Sequence, residues 1–223
     1  MGVNMYYSQF EQDKYLNENI FKNKSNGVFV DVGAYDGIVA SNTYFFEKEL
    51  GWNGICIEPN LESYNKLVKN RNCINLNVCA YSENIEVMFL ELCGRGLDIF
   101  SGLNECYDKR HFDYVSGEIN KKIYENNNDY NIKVKPIKAR TLTSILSEYG
   151  YNKIDFCCID TEGSELNVLR GIDFSVFDIN VIILENNFFH LDYVSKCGDY
   201  LKELNYDFVT RLNIDEVYIK KYE

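Results

Sequence analysis

Basic residues are in short supply. The 223-residue chain carries 23 Lys and Arg against 34 Asp and Glu, a formal net charge of −11. Binding a polyanion requires a basic surface that displaces counterions, so nucleic acid is not an expected partner. The Lys-rich stretch 133–140 contains Pro136 and reads as a strand with solvated Lys side chains. No apolar run reaches the ~18 residues that span a bilayer, so no membrane contact is expected. The N-terminal MGVNMYYSQF lacks a basic segment followed by an apolar one, and Tyr6 stands where a myristoylated chain has Ser or Thr. Eight Cys occur (Cys56, Cys73, Cys79, Cys93, Cys106, Cys157, Cys158 and Cys197) without a single Cys-x-x-Cys. They are too sparse for a disulfide scaffold and too scattered for zinc. Reduced, buried thiols and a cytoplasmic location are the expectation.

What is present is 46% hydrophobic residues, 18 Tyr and 14 Phe, on a length suited to one domain over 1–223. Residues 1–25 read as an N-terminal segment with a leading helix over 6–22. Strands are expected at 27–31, 54–58, 74–80, 85–92, 132–139, 153–160 and 179–185, with a terminal hairpin from YDFVTRL and DEVYIKK. Helices are expected at 42–50, 61–70, 142–149, 164–171 and 195–204. Gly51 stops the first of these, and Thr141 caps and Gly150 stops the helix at 142–149. Residues 93–131 break the pattern and read as an insertion with one short helix, a lid or acceptor-binding region. The alternation implies an α/β fold: a mostly parallel, seven-stranded, Rossmann-like sheet, helices on both faces, closed by a C-terminal antiparallel hairpin. Ligands of such sheets sit beyond the carboxyl ends of the strands.

The first two strands each end in an acid, Asp31 and Glu58, and Gly33-Ala34-Tyr35-Asp36-Gly37 follows the first. The glycines let backbone approach closely. The spacing is not that of G-x-G-x-x-G, and Asp31 and Asp36 would repel a pyrophosphate. They suit a cationic nucleoside without phosphate, such as S-adenosylmethionine, with Glu58 accepting from the ribose hydroxyls.

FVDVGAYDGIVASNT, GWNGICIEPN and IDTEGSELNVLRGIDF, in that order after a leading YSQFEQDKYL, resemble the FkbM-type methyltransferases over most of 6–190. The resemblance implies a class I methyltransferase fold and S-adenosylmethionine-dependent O-methylation, with sugar or glycosylated small-molecule acceptors. Carried over by position, Asp31, Gly33, Tyr35 and Asp36 cradle the methionine end. Ser41, Asn42 and Thr43 bind its carboxylate, Glu58 holds the ribose, and Pro59 and Asn60 lie near the adenine. Ala80, Tyr81 and Ser82 flank the adenine, and Asp160 stands beside the sulfonium and the acceptor.

A sugar hydroxyl is a weak acid, so a base or a metal is needed. Two routes stay open. His190 is one candidate base, in ENNFFHLD beyond a strand end. The other is a divalent ion, Mg2+, held by Asp160, Glu185 and Asn186. Glu162 is a candidate lining residue of the acceptor pocket, whereas Glu165 reads as a helix-start acid. His111 lies in the insertion. Tyr35, Trp52, Phe188 and Phe189 are candidate stacking partners for a sugar. A nucleotide-dependent oxidoreductase, an O-methyltransferase for another small metabolite and an inert cofactor-binding module are the alternatives. A homodimer is compatible with the sequence.

Overall fold

Alternate residues of the central apolar runs point to opposite sides, and both sides are covered. The computed structural model describes residues 5–94, 96–106, 109–124, 131–186 and 196–222. Its strands β1 (Val28–Val32), β2 (Asn53–Ile57), β3 (Ile74–Leu76), β8 (Lys153–Ile159) and β9 (Asp178–Glu185) run parallel. The hairpin of β10 (Tyr206–Leu212) and β11 (Asp215–Lys220) adds to β9 antiparallel, giving the order β10-β11-β9-β8-β1-β2-β3. On one face Val30, Val32, Cys157 and Ile159 pack against Leu142, Ile145 and Leu146 of α5 (Leu142–Tyr149), Val168 and Leu169 of α6 (Glu165–Arg170) and Leu201 of α7 (Lys196–Glu203). On the other, Phe29, Cys56, Phe156 and Cys158 meet Phe45 and Phe46 of α2 (Tyr44–Leu50), Leu67 of α3 (Leu61–Asn70), Leu16, Phe21 and Trp52. Burial on both faces is why these strands are nearly continuous apolar runs. Cys157 and Cys158 fall on opposite faces, and every described Cys is a free thiol.

The stops and starts follow local chemistry. Asn60 Oδ1 accepts from the N–H groups of Glu62 and Ser63, and Thr141 Oγ1 from that of Ser144, so α3 and α5 begin there. Gly51 and Gly150 close α2 and α5 with φ of 68° and 75°.

Three expectations change. The leading helix is shorter: α1 (Gln12–Tyr15) continues as a π-helix through Leu16–Phe21. The Asp13 carboxylate draws the preceding segment onto it, accepting from the N–H groups of Tyr7 and Ser8 and from Ser8 Oγ at 2.6, 3.2 and 2.5 Å. The run 74–80 is not one strand. It breaks where Asn77 turns its amide to the carbonyls of Glu58 and Pro59, 2.9 and 3.1 Å away, and Cys79–Ala80 (β4) leaves for a second sheet. That sheet, β4-β7-β5-β6, also holds the runs expected at 85–92 and 132–139 as β5 (Glu86–Cys93) and β7 (Asn131–Arg140), with β6 (Gly102–Leu103). The insertion contains a 3-10 turn, Asp98–Phe100, and a helix of 16 residues, α4 (Lys109–Tyr124), longer than the sequence suggests. No helix of the described residues is long and apolar enough to cross a membrane.

Candidate functional site

A cavity of about 740 Å3 opens at the carboxyl ends of the parallel strands. Its size lies within the roughly 300–1,000 Å3 of ligand pockets. Asp31 and Gly33–Tyr35 line it after β1, Glu58 and Pro59 after β2, Asp160–Glu162 after β8 and Glu185 at the end of β9. The second sheet closes over it with Phe89 and the stretch Asp98–Leu103, and α4 contributes Arg110 and Tyr114.

The loop after β1 has little backbone left to offer. The N–H groups of Gly33 and Ala34 donate to Ile57 O at 3.0 and 3.1 Å, and that of Gly37 to Ala34 O at 2.9 Å. Tyr35 N–H donates to Glu58 Oε2 at 2.9 Å. Those of Ile38 and Val39 go to Asp36 Oδ1 at 2.9 and 2.8 Å. A pyrophosphate site needs such groups unspent and pointing at the ligand. Here they are consumed internally. The glycines also serve the protein itself: a Cβ on Gly33 (φ 86°) would lie 1.8 Å from Asp160 O, and one on Gly37 (φ 82°) 2.6 Å from Arg71 Cγ. Asp36, expected in the cradle, caps its own loop and lies outside the cavity lining.

Arg71, which no motif marks, braces this loop from behind. Its side chain is 0% exposed. Nε donates to Glu47 Oε2 at 2.5 Å, Nη1 to Gly37 O at 3.1 Å and Nη2 to Thr43 Oγ1 at 2.9 Å. Nη1 lies 4.0 Å from Asp31 Oδ2, which also accepts from Thr43 Oγ1 at 2.5 Å. Burial raises the Asp31 pKa, and Arg71 and Thr43 pull it back. Thr43 is therefore wholly spent on Asp31 and Arg71 and does not line the cavity. Ser41 lines it, but its Oγ accepts from the N–H groups of Thr43 and Tyr44. Asn42 differs: Nδ2 donates to Cys158 Sγ, while Oδ1 is buried without a hydrogen-bond partner.

Glu58 is 6% exposed and pushed up to about 8, by burial first, with Asp98 and Asp31 adding to it. Each oxygen accepts one backbone N–H, Oε2 from Tyr35 and Oε1 from Asn60 at 2.7 Å, and each keeps a further lone pair. Asn60 itself does not line the cavity. It caps α3 and ties Leu92 O and Ser101 Oγ to that helix at 2.8 and 2.9 Å. Ala80 and Pro59 line the wall, whereas Tyr81 and Ser82 do not; the Tyr81 hydroxyl donates to Glu105.

Beyond β8 and β9 the carboxylates of Asp160, Glu162 and Glu185 converge, with oxygens within 4.8 Å of one another. Asp160 is exposed to the cavity; the other two are half-buried. Asp160 and Glu185 are both pushed well above the usual carboxylate range, by removal from bulk water and then by the neighbouring acids, Asp215 among them. Glu162 holds a left-handed backbone, φ 58°, a conformation costing of order 1–3 kcal/mol. Glu165 Oε1 fixes this loop, accepting from Thr161 N–H and Oγ1 and from Gly163 N–H at 3.0, 3.1 and 3.0 Å. Asn186, expected beside Asp160 and Glu185, directs its Nδ2 to Glu216 Oε1 at 3.0 Å and is not in the cavity lining. The segment holding Phe188, Phe189 and His190 lies outside the described residues. Trp52 is core, 3% exposed, with its Nε1 on Lys24 O.

Residues 31–208 match the Methyltransferase FkbM domain family. The crystal structure of Methyltransferase FkbM from Methylobacillus flagellatus KT is similar in fold, with a TM-score of 0.50 and 15% identity. The alignment covers 88% of this chain and 44% of that one, so this chain spans less than half the length of that protein. No curated protein matches the sequence.

Proposed function

The chain belongs to the FkbM methyltransferase family, and from that premise we propose that it is a methyltransferase that moves a methyl group from S-adenosylmethionine to a hydroxyl of a sugar or glycoconjugate. The observation that carries this reading is a single cavity lined both by Glu58 and by the Asp160–Glu162–Glu185 trio. The donor set fits the cofactor. Asp31, Glu58 and the unpartnered Asn42 Oδ1 are acceptors, suited to an ammonium, a sulfonium and ribose hydroxyls. The consumed loop N–H groups do not suit a pyrophosphate, which disfavours the oxidoreductase alternative.

S-adenosylmethionine, when bound, supplies a methyl carbon made electrophilic by its sulfonium. The chain's part is to orient and to manage one proton. Glu58 accepts from the ribose through its spare lone pairs. Asn42 Oδ1 accepts from the ammonium. Asp160, set in the cavity wall, is the carboxylate placed to take the acceptor proton as the hydroxyl oxygen attacks. The same trio suits a hard divalent ion such as Mg2+, which would lower the acceptor's pKa.

Calorimetric titration with S-adenosylhomocysteine tests the cofactor half, with micromolar binding expected. Glu58→Gln should weaken it about 10- to 100-fold, the worth of hydrogen bonds to a charged group. A wild-type protein that does not bind overturns the reading. A screen of neutral sugars, nucleotide sugars and non-sugar hydroxyl metabolites with labelled S-adenosylmethionine tests the acceptor. Labelling of the last class alone would move the proposal to the other-metabolite alternative.

A further inference from the structure

By position, Ser41, Asn42 and Thr43 should bind the methionine carboxylate, but their side-chain donors are already spent. Thr43 Oγ1 gives its hydrogen to Asp31 Oδ2 at 2.5 Å, so in its 3.3 Å contact with Ser41 Oγ the serine is the donor. Asn42 Nδ2 goes to Cys158 Sγ at 3.1 Å. Arg71 is sealed behind the loop, its side chain 0% exposed. A carboxylate taken out of water needs a donor. One stands in another part of the chain. Gln9 lines the cavity together with Val39, Ala40, Ser41 and Asn42. It is exposed, and its amide has no hydrogen-bond partner among the described residues. The residues around it are fixed on both sides. Ser8 bridges Ala40 in parallel pairing. The Tyr7 ring meets that of Tyr44 edge-on, with centroids 4.7 Å apart, and the Tyr6 ring lies 4.6 Å from that of Phe45. The segment is thus seated on the first turn of α2, next to Asn42. After Gln9, Phe10 N–H donates to Gln12 Oε1 at 2.8 Å, and Gln12 Nε2 donates to Asp215. Gln12 and Asp215 are 1% and 7% exposed, and Asp215 is the register partner of Glu185. Gln9 therefore stands between two packed anchors, at the rim between the loop after β1 and the end of β9.

We propose that Gln9 binds the carboxylate at the methionine end of the cofactor, donating through Nε2, beside the Asn42 Oδ1 that accepts from the ammonium. The inference rests on the reading of the cavity as an S-adenosylmethionine site. Chemistry sets the direction of the bond. A carboxylate only accepts, and the Gln amide offers two N–H groups. The rest of the lining includes Asp31, Glu58, Asp160, Glu162 and Glu185, which would repel the negative end of a zwitterion. A neutral donor at the rim holds that end away from them. Arg110 of α4 is the one cationic side chain among the described lining residues, and it is the rival partner.

The test pairs S-adenosylhomocysteine with its decarboxylated analogue, S-adenosyl-3-thiopropylamine, which keeps the amine and lacks the carboxyl group. Kd is measured by calorimetry for wild type, Gln9→Ala, Gln9→Glu and Arg110→Ala. Gln9 is exposed and unpartnered, so its substitutions should leave Tm unchanged. Gln9→Ala should raise the Kd of S-adenosylhomocysteine about tenfold, the worth of one hydrogen bond to a charged group. The Kd of the analogue should stay within about twofold, because the contact it lacks is the one removed. Gln9→Glu should weaken S-adenosylhomocysteine further and leave the analogue unchanged or tighter, since the new carboxylate repels one end group and attracts the other. A change in the shape of the rim would weaken both ligands alike. Equal losses for the two ligands, or no loss for S-adenosylhomocysteine, overturns the inference. So does a carboxylate dependence that vanishes in Arg110→Ala and persists in Gln9→Ala. A wild type that binds neither ligand overturns the cofactor reading, and the inference with it.

Discussion

Replacing Arg71 by Met keeps the unbranched stem and removes the guanidinium with its charge. The guanidinium holds Glu47 at 2.5 Å, Thr43 at 2.9 Å, Gly37 O at 3.1 Å and Asp31 at 4.0 Å. Its partners Asp31 and Glu47 are 6% and 10% exposed, so water screens neither well. Breaking a buried pair by deleting one member costs about 3–5 kcal/mol, because the other charge stays buried and unpaired. At about 2–4 °C per kcal/mol for a domain of this size, Tm should drop by roughly 10 °C or more. Urea unfolding should show a lower midpoint at an unchanged m value. The deficit has a pH signature. The folded-state pKa of Asp31 is already raised, so the stability it contributes is full below the ordinary Asp value and is lost as pH rises through the raised one. Without Arg71 that pKa rises further, so the deficit should be largest near pH 8 and shrink on acidification. Arg71→Met/Asp31→Asn should recover part of it. A loss below about 1 kcal/mol, or one indifferent to pH, would mean that the pair behaves as a solvated surface contact, and the bracing argument fails.

Gly33→Ala should abolish soluble expression or cost well over the usual point-mutant loss, since its Cβ would lie 1.8 Å from Asp160 O. Gly96→Ala, also at positive φ but with nothing within 4 Å, should cost far less; comparable Tm values for the two would refute the steric argument. Asp160, Glu185, Asp31, Glu58 (to about 8) and Asp215 (to about 6) all have raised folded-state pKa values. Each favours the fold when protonated, so Tm should fall as pH rises from about 5 to 8; a flat or rising profile contradicts this. If the trio takes a divalent ion, Mn2+ should raise the Tm of the wild type and not that of Asp160→Asn, and activity should fall after chelation. Equal Tm shifts in the two proteins would place the ion elsewhere.

The parallel sheet was legible because its strands are buried on both faces and bounded by caps such as Asn60 and Thr141. Glu58 and Asp160 could be found from strand ends alone. Other residues were not legible, for physical reasons. Arg71 follows a helix in VKNRNC and looks like surface charge; only the fold shows that α3 delivers it beneath the loop. Asp98 stands in an irregular stretch with no periodicity to place it. The break at Asn77 depends on carbonyls of the neighbouring chain segment. Asp36 and Thr43 looked like ligand groups because short polar side chains in a loop serve backbone and ligand equally well. Their partners decide between the two.

The second sheet divides the insertion into parts with different freedom to vary. Asn60 ties Leu92 and Ser101 to α3, and Asp98 ties the turn between them to Lys66. By contrast α4 rests on Leu90, Leu92 and Leu97 largely through Val115 and Ile119. A chimera that transplants residues 109–124 from a relative, keeping an apolar residue at each of those two positions, would exchange Arg110 and Tyr114 and leave the donor side intact. A transplant that begins at residue 94 would carry Asp98 away and disturb both sides at once. Recombination near residue 105 is therefore the natural seam for altering acceptor choice in this protein.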